Sequence, residues 1–142
     1  MNLEKLRKIV EKICSKANCV YVILFGSYVN GKIKDYSDID LAVYFSDVKN
    51  DYMDTALNLA FKLEEALGRK VDVIPLNIAD SIIKYEVFTH GILLYCTNHT
   101  KYFDDHVNAI DEYLDFKPCF ERFYRKNLKE LKKCHHQELK PE

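Results

Sequence analysis

Two aspartates separated by one residue give the strongest chemical signal in this chain. Asp38 and Asp40 begin an apolar run, and a Gly26-Ser27 pair closes an earlier apolar run. Mg²⁺ prefers hard oxygen ligands and is often bound by one or two carboxylates together with substrate phosphates. A glycine lets the backbone approach a phosphate closely, and the Ser27 hydroxyl can donate to it or cap a following helical turn. The pattern therefore predicts a site for a divalent metal and a phosphorylated substrate.

The spacing of the two aspartates makes a bound cation favourable. Side chains alternate across a strand, so Asp38 and Asp40 point to the same face, roughly 6–7 Å apart by strand rise. At an effective dielectric near 20, two ionised carboxylates at that distance repel by roughly 2.5 kcal/mol. The strand itself contains no Lys or Arg to offset this repulsion. A cation bridging the two carboxylates would relieve it.

A third carboxylate, Asp72, extends the predicted site. It interrupts an otherwise apolar strand, Val71 to Ile74, where an unpaired charge is costly if it is buried. The alternative is an edge strand on which Asp72 faces water. If this strand pairs beside the one that carries Asp40, three carboxylates face one site. Such a set suits phosphoryl or nucleotidyl transfer with two metal ions.

The segment from Gly26 to Lys32 also matches the start of a P-loop, GxxxxGK. A P-loop places Ser or Thr next, but this chain has Ile33. It also continues into a helix that returns to a parallel strand, which takes about a dozen residues or more. The next strand begins near Asp38, so we reject this interpretation.

The hydrophobic pattern predicts the elements that position these residues, in the order α-β-loop-β-α-β-α-β-α-α. The predicted strands are Val20–Phe25, Ile39–Phe45, Val71–Ile74 and Ile92–Tyr95. Helical spacing is found over 3–13, 56–67, 80–89, 102–114 and 120–131, with Asn2 as an N-cap and Gly68 as a C-terminal glycine. Pro118 is expected to separate the last two helices into a hairpin. The fold class is α/β or α+β, a small mixed sheet flanked by helices.

Composition narrows the possible functions. The chain has 142 residues and a net charge of −1, which argues against broad nucleic-acid binding. It shows no membrane span and no apolar signal segment, so we expect a cytoplasmic protein. Five cysteines without a CxxC pair argue against a disulfide framework. Between residues 117 and 140 there are eight Lys or Arg and three Glu, which form either a solvated helix face or a surface for an acidic partner.

The order of these motifs resembles a known superfamily. Gly26-Ser27, ten further residues and then Asp38-Ile39-Asp40 resemble the GSx₁₀DxD pattern of nucleotidyltransferases related to DNA polymerase β. The stretches 24–31, 37–43, 71–77 and 91–95 are similar to the minimal nucleotidyltransferases called MNT. The resemblance covers about residues 1–97, which we expect to form the nucleotidyltransferase domain. Residues 98–142 are expected to form a C-terminal helical extension packed on that domain.

The resemblance implies a function. It implies a palm that binds ATP and two Mg²⁺ ions, held by Asp38 and Asp40, with Asp72 as a third metal-binding carboxylate that activates the acceptor hydroxyl. Gly26 and Ser27 would hold the phosphates. It also implies a protein partner, a HEPN-domain toxin RNase that is usually encoded next door. In MNT antitoxins, AMP is transferred from ATP to a tyrosine of that toxin, which silences it.

One departure from the family and two other functions are open at this point. Many MNT relatives have Arg where this chain has Asn30, and Lys32 or Lys34 could supply the missing charge near the triphosphate. The chain could instead be a non-catalytic antitoxin that blocks the toxin sterically. It could also be a nucleotidyltransferase acting on a small molecule, although it shows no added substrate domain.

Overall fold

A computed structural model describes residues 2–26, 38–48 and 51–139, with the side chains of 120, 121 and 123–139 outside the description. Four helices are described: α1 Leu3–Cys14, α2 Tyr52–Leu67, α3 Ser81–His90 and α4 His99–Leu139. The strands are β1 Cys19–Phe25, β2 Ile39–Phe45, β3 Val71–Pro75 and β4 Ile92–Cys96, and a 3₁₀ turn covers Leu76–Ile78. The predictions for Ser27, Asn30, Lys32 and Lys34, and for most of the basic C-terminal segment, lie outside the described residues.

The strands form one mixed sheet in the order β3-β2-β1-β4. β1 pairs antiparallel with both β2 and β4, and β2 pairs parallel with β3 through the crossover helix α2. All four predicted strands are confirmed, and so is the α/β class with a small mixed sheet.

Local capping explains where α1 begins and where α2 ends. The Lys5 N–H donates to Asn2 Oδ1 over 2.8 Å, so Asn2 caps α1 as predicted. Gly68 ends α2 in the left-handed conformation, with φ of +67°, and its N–H donates to the Glu64 carbonyl. Both sequence predictions are confirmed.

Helices cover both faces of the sheet, because the strand residues alternate between two apolar clusters. One cluster joins α1 and α2 to the odd-numbered side chains of β2, which are Ile39, Leu41, Val43 and Phe45. The other joins α3 and the start of α4 to Ala42 and Tyr44 on the opposite face. Asp38 and Asp40 share the even-numbered register of this second face. The predicted carboxylate site therefore lies on the same side of the sheet as α3 and α4.

The prediction of a C-terminal hairpin is wrong. A single helix, α4, continues through Pro118 to Leu139. Proline lacks the N–H that would donate to the carbonyl of Leu114, so α4 loses one backbone hydrogen bond there. The helix nevertheless continues. Leu114, one turn before the proline, is more than half exposed, and the helix continues past it without a turn. None of the described helices is both long and apolar enough to span a membrane.

The beginning of α4 packs against α3. The rings of Tyr85 in α3 and Tyr113 in α4 stack with centroids 3.8 Å apart. The Ser81 hydroxyl donates to Glu112 Oε2 over 3.2 Å. These contacts hold the first four turns of α4 against α3, whereas the boundary between residues 97 and 98 stays a prediction.

A buried tyrosine ties α4 to the sheet. Tyr21 is 1% exposed, and its hydroxyl donates to Asp105 Oδ2 over 2.7 Å. Burial raises the pKa of Tyr21, and the bond to Asp105 raises it further, so the hydroxyl stays protonated. Lys101 Nζ lies 2.9 Å from the other Asp105 oxygen. The sheet and α4 are therefore linked by a charge-assisted hydrogen bond.

Replacing Tyr21 by phenylalanine should lower the free energy of unfolding by about 1–2 kcal/mol, because Asp105 loses one of its two partners. Urea denaturation followed by circular dichroism measures this. Tyr113→Phe is the matched control, since Tyr113 contributes a stacked ring and no hydroxyl hydrogen bond within the described structure. Equal unfolding midpoints for the two variants would contradict a role for the Tyr21 hydroxyl.

Candidate active site

The register of β2 and β3 places two of the predicted carboxylates side by side. Asp40 and Asp72 are direct partners across the parallel pair, between the pairs Ile39–Val71 and Leu41–Val73. Neighbouring strands lie about 4.8 Å apart, so these side chains leave the same face of the sheet in close proximity. The two strands do pair, which is the condition that the sequence sets for Asp72, and the role of Asp72 in the site stays a prediction. Because β3 is the edge strand, Asp72 is also exposed, as the edge-strand alternative required.

Asp38 lies just before β2 and has a basic neighbour that sequence reasoning missed. Its Oδ2 atom lies 3.9 Å from Lys70 Nζ, and both side chains are largely accessible to solvent. The Ile39 N–H donates to the Lys70 carbonyl over 3.0 Å, which continues the β2–β3 register toward Asp38. The available signal was positional: Lys70 stands two residues before Asp72, as Asp38 does before Asp40. An exposed ion pair of this kind contributes little stability, so Lys70 can move away at small cost.

Electrostatic repulsion is concentrated on Asp40. Partial burial raises the pKa of the Asp40 carboxyl, and the charges of Asp72 and then Asp38 raise it further. The i, i+2 spacing predicts the repulsion by Asp38, and the repulsion by Asp72 across the strands is larger. A cation at this position would offset the repulsion of both neighbours at once.

Gly26 shapes the site by making room for Asp40. It has φ of +82°, a conformation that residues with a side chain rarely adopt. A Cβ atom at this position would collide with Asp40 Oδ2. The preceding residue, Phe25, is the cross-strand partner of Asp40. Glycine is therefore needed here for the Asp40 carboxylate as well as for the predicted approach of a phosphate.

The donor set suits Mg²⁺, but the ligand set itself stays a prediction. Carboxylate oxygens on adjacent strands are hard ligands of the kind that Mg²⁺ prefers, and their repulsion favours a bound cation. Within residues 2–26, 38–48 and 51–139, no three His, Cys, Asp or Glu side chains are grouped closely enough to hold a metal ion in their present positions. Asp38, Asp40 and Asp72 thus share one region of the sheet without converging on a single point.

A cleft lies between the sheet and α3, and none of the three aspartates is among its lining residues. It has a volume of about 550 Å³, and Gly26 is one of its lining residues. Its walls are mainly apolar, with contributions from Phe25 and Ile74 on the sheet and Ile82 and Val87 on α3. Glu86 and His90, which lie 3.7 Å apart, add polar groups from the same helix. We call this space the α3 cleft.

β1, which is followed by Gly26, lies beside β2, and the paired carboxylates lie on β2 and β3. This is the arrangement of a nucleotidyltransferase palm. Residues 7–100 match the family described as polymerase beta, nucleotidyltransferase, and the chain belongs to that family. The match includes Gly26 and all three aspartates.

Two relatives narrow the class further. The protein adenylyltransferase MntA of Shewanella oneidensis is 33% identical over 110 residues, which cover 78% of this chain and 73% of MntA. A chain in the crystal structure of a toxin–antitoxin complex with AMP-PNP is 26% identical, with a TM-score of 0.73 over 90% of this chain and 99% of that one. A chain in the structure of a tri-AMPylated Shewanella oneidensis HEPN toxin in complex with its MNT antitoxin shares the fold at 23% identity, with a TM-score of 0.73 over 89% and 99% of the two chains. This chain is thus a nucleotidyltransferase whose relatives include protein adenylyltransferases.

Proposed function

We propose that this chain is an antitoxin that transfers AMP from ATP to a tyrosine of a HEPN toxin and thereby silences it. The observation that carries the proposal is the cross-strand pair Asp40–Asp72 beside Gly26. The family supports nucleotidyl transfer. The names of MntA and of the AMP-PNP complex support ATP as the donor and a protein as the acceptor.

In this proposal each carboxylate has a distinct role. Asp38 and Asp40 would hold two Mg²⁺ ions, which neutralise charge on the triphosphate and lower the pKa of the attacking hydroxyl when they are bound. Asp72 would contribute to the same site and accept the proton of the tyrosine hydroxyl. The tyrosine oxygen forms a bond to the α-phosphorus of ATP while the bond to pyrophosphate breaks. Gly26 and Ser27 would position the phosphates.

The exposure of the site favours a macromolecular acceptor. Asp72 lies exposed on an edge strand, and Asp38 is 44% exposed in its side chain. A small acceptor would need a pocket that holds it beside Asp72. A folded partner can instead present a tyrosine to the open edge of β3 and cover the site as it binds.

Label transfer tests the proposed reaction. The chain is incubated with its HEPN partner, Mg²⁺ and ATP labelled on either the α- or the γ-phosphate. Only the α-label should become attached to the toxin, and pyrophosphate should appear in equal amount. Asp104→Asn, an exposed aspartate on α4, should transfer as the wild type does. Transfer of the γ-label, or no label on the toxin in the presence of bound partner, would contradict AMP transfer.

A second candidate function is steric neutralisation without catalysis. One stripe on α4, formed by Phe103, Val107 and Leu114, is apolar and more than half exposed, and such a stripe could bind a partner protein. Under this alternative, a chain with Asp38→Asn and Asp40→Asn would still protect cells from the toxin, whereas the AMP-transfer proposal requires protection to be lost.

A further inference from the structure

Three large apolar side chains form an exposed row on α2, on the opposite face of the sheet from the α3 cleft. Met53, Leu57 and Phe61 follow one another at intervals of four residues, so each lies one turn of the helix from the next. Their exposed fractions are 48%, 64% and 62%. We call this row the α2 stripe. A different side of α2, which includes Leu59 and Leu63, is buried in the core, so core packing does not account for the stripe.

A hydrogen bond locates the α2 stripe relative to β3. The Ile39 N–H donates to the Lys70 carbonyl, so Lys70 turns its backbone groups toward β2, and the next residue, Val71, turns its own to the outer edge of the sheet. There the Val71 N–H donates to Glu64 Oε1 over 3.1 Å. Leu57 precedes Glu64 by seven residues, almost two full turns, and therefore leaves α2 on the same side. The stripe thus overhangs the outer edge of β3.

Phe61 is the end of the stripe nearest to the proposed catalytic edge. It lies three residues before Glu64, or about 4.5 Å along the helix axis. Because α2 connects two parallel strands, it runs antiparallel to them, and this step leads from the level of Val71 to about the level of Asp72. Asp72 points to the other face of the sheet, but β3 is the edge strand. A protein that reaches Asp72 from the open edge therefore meets Phe61 as well.

The charges that border the α2 stripe are acidic. Asp54 lies one turn from Leu57, and Glu65 lies one turn from Phe61. Lys62, the single basic residue of α2, projects about 100° around the helix from Phe61 and away from the stripe. The proposed catalytic aspartates add negative charge at the same edge of the sheet. The surface therefore suits a partner that brings apolar side chains surrounded by basic ones.

The charge and the size of the stripe both argue against a second copy of this chain as the occupant. Arg69 and Lys70 offset part of the negative charge at the start of β3, but two acidic borders facing each other would still repel. Three side chains are also far fewer than the roughly 20–30 residues that each partner contributes to a stable interface, so the stripe has to be part of a wider surface. An RNase, in contrast, needs basic groups to bind RNA phosphates, and the toxin of the proposed function is an RNase.

We propose that the α2 stripe, together with the outer edge of β3, is the docking surface for the acceptor protein, which binds it through an apolar patch bordered by Lys and Arg. This inference rests on the proposed function, since it places the toxin against the edge that leads to Asp72. Docking here covers a basic face of the toxin and brings a tyrosine of that face to the catalytic edge in one step.

Equilibrium binding of the unmodified HEPN partner, measured without ATP, tests the docking surface. Leu57→Ser and Phe61→Ser should each weaken binding about tenfold, because each removes apolar contact with the partner. The matched controls are Leu114→Ser and Phe103→Ser on α4, which replace the same residue types at similar exposure and should bind as wild type does. ATP binding should be the same in all four variants, which checks that each keeps its fold.

Steady-state transfer separates docking from chemistry. Phe61→Ser should raise the KM for the toxin about tenfold and leave kcat at saturating toxin unchanged, because docking contacts are the same in the ground state and the transition state. A fall in kcat with no change in KM would assign Phe61 to the chemical step and overturn its docking role.

The salt dependence of association tests the acidic border. Wild-type association with the toxin should slow as salt is raised, and a chain with Asp54→Asn and Glu65→Gln should show a weaker dependence. Asp104→Asn combined with Asp111→Asn removes the same charge from the exposed surface of α4 and should keep the wild-type dependence. Equal salt dependence in all three chains would contradict a basic partner surface at the stripe.

The outcomes separate this inference from the proposed function. If the α2 variants bind the toxin more weakly and the α4 variants do not, the docking surface is supported, and a bound toxin that receives no AMP then contradicts the proposed function alone. If only the α4 variants bind more weakly, the toxin docks on α4 and the inference is overturned. It is also overturned if the chain forms dimers in sedimentation velocity that Leu57→Ser abolishes while toxin binding stays at the wild-type level, because the stripe then pairs with a second copy.

Discussion

Replacing Asp40 by asparagine should lower the rate of AMP transfer by about 10³-fold, because it removes a proposed metal ligand at the point where transition-state charge is stabilised. The same variant should be more stable than wild type when metal is absent. Its melting temperature should rise by about 3 °C, which corresponds to about 1 kcal/mol of relieved repulsion at a partly solvated site. A loss of activity through unfolding would lower the melting temperature instead.

The direction of the stability change follows from the pKa of Asp40. Burial and the charges of Asp72 and Asp38 raise that pKa above its ordinary value of 3.8, so the folded state disfavours the ionised form. An acid with a raised pKa in the folded state loses stability as the pH rises from its unfolded pKa through its folded pKa. Wild type and Asp40→Asn should therefore differ little below pH 3.8 and differ most at neutral pH.

Thermal unfolding in EDTA across this pH range, together with transfer assays in Mg²⁺, measures both effects. Asp104→Asn is the control, since it removes an exposed carboxylate outside the site. Retention of wild-type transfer by Asp40→Asn would rule out its role as a metal ligand. A lower melting temperature at neutral pH would contradict the electrostatic account of the site.

Replacing Gly26 by alanine should reduce transfer by about 10²-fold and destabilise the protein by about 2 kcal/mol. The added methyl group would collide with Asp40 Oδ2, and a displacement of about 1 Å at a catalytic group can cost a factor of this size. The φ of +82° adds backbone strain for any residue with a side chain.

Gly68→Ala separates the two effects of the Gly26 substitution. Gly68 also has a positive φ, of +67°, but nothing lies within 4 Å of a Cβ placed there. The Gly68→Ala variant should lose about 1 kcal/mol of stability and keep its transfer activity. Transfer rates and urea unfolding curves for both variants provide the comparison. If Gly26→Ala retained full activity, the contact between Gly26 and Asp40 would have no catalytic importance.

Local patterns in the sequence were sufficient to predict most elements of the fold. The strands of the sheet and the caps at Asn2 and Gly68 depend on hydrophobic period and on short-range hydrogen bonds, which are visible in neighbouring residues. The proline rule failed at Pro118, because an exposed helix tolerates one missing hydrogen bond. A local rule predicts where a helix can end, whereas packing decides whether the chain turns there.

The sequence predicts which residue types form the candidate site, but not which of these residues lie side by side across neighbouring strands. The Asp-x-Asp spacing placed two carboxylates on one face of a strand. The register that sets Asp72 beside Asp40 is a long-range property. The sequence therefore predicts their proximity only on the condition that the two strands pair. Lys70 was missed for the same reason, since it approaches Asp38 across that register. The close approach of Gly26 to the Asp40 carboxylate also depends on the three-dimensional packing of the chain.

The intact mass of the HEPN partner is the most direct test of AMP transfer by this chain. The partner is purified after co-expression with the wild-type chain and, in parallel, with a chain carrying Asp38→Asn and Asp40→Asn. Wild type should add one or more AMP groups to the toxin, at tyrosine, and the doubly substituted chain should add none. An unmodified toxin that is nevertheless inactive in complex with the wild-type chain would contradict the account and favour steric neutralisation.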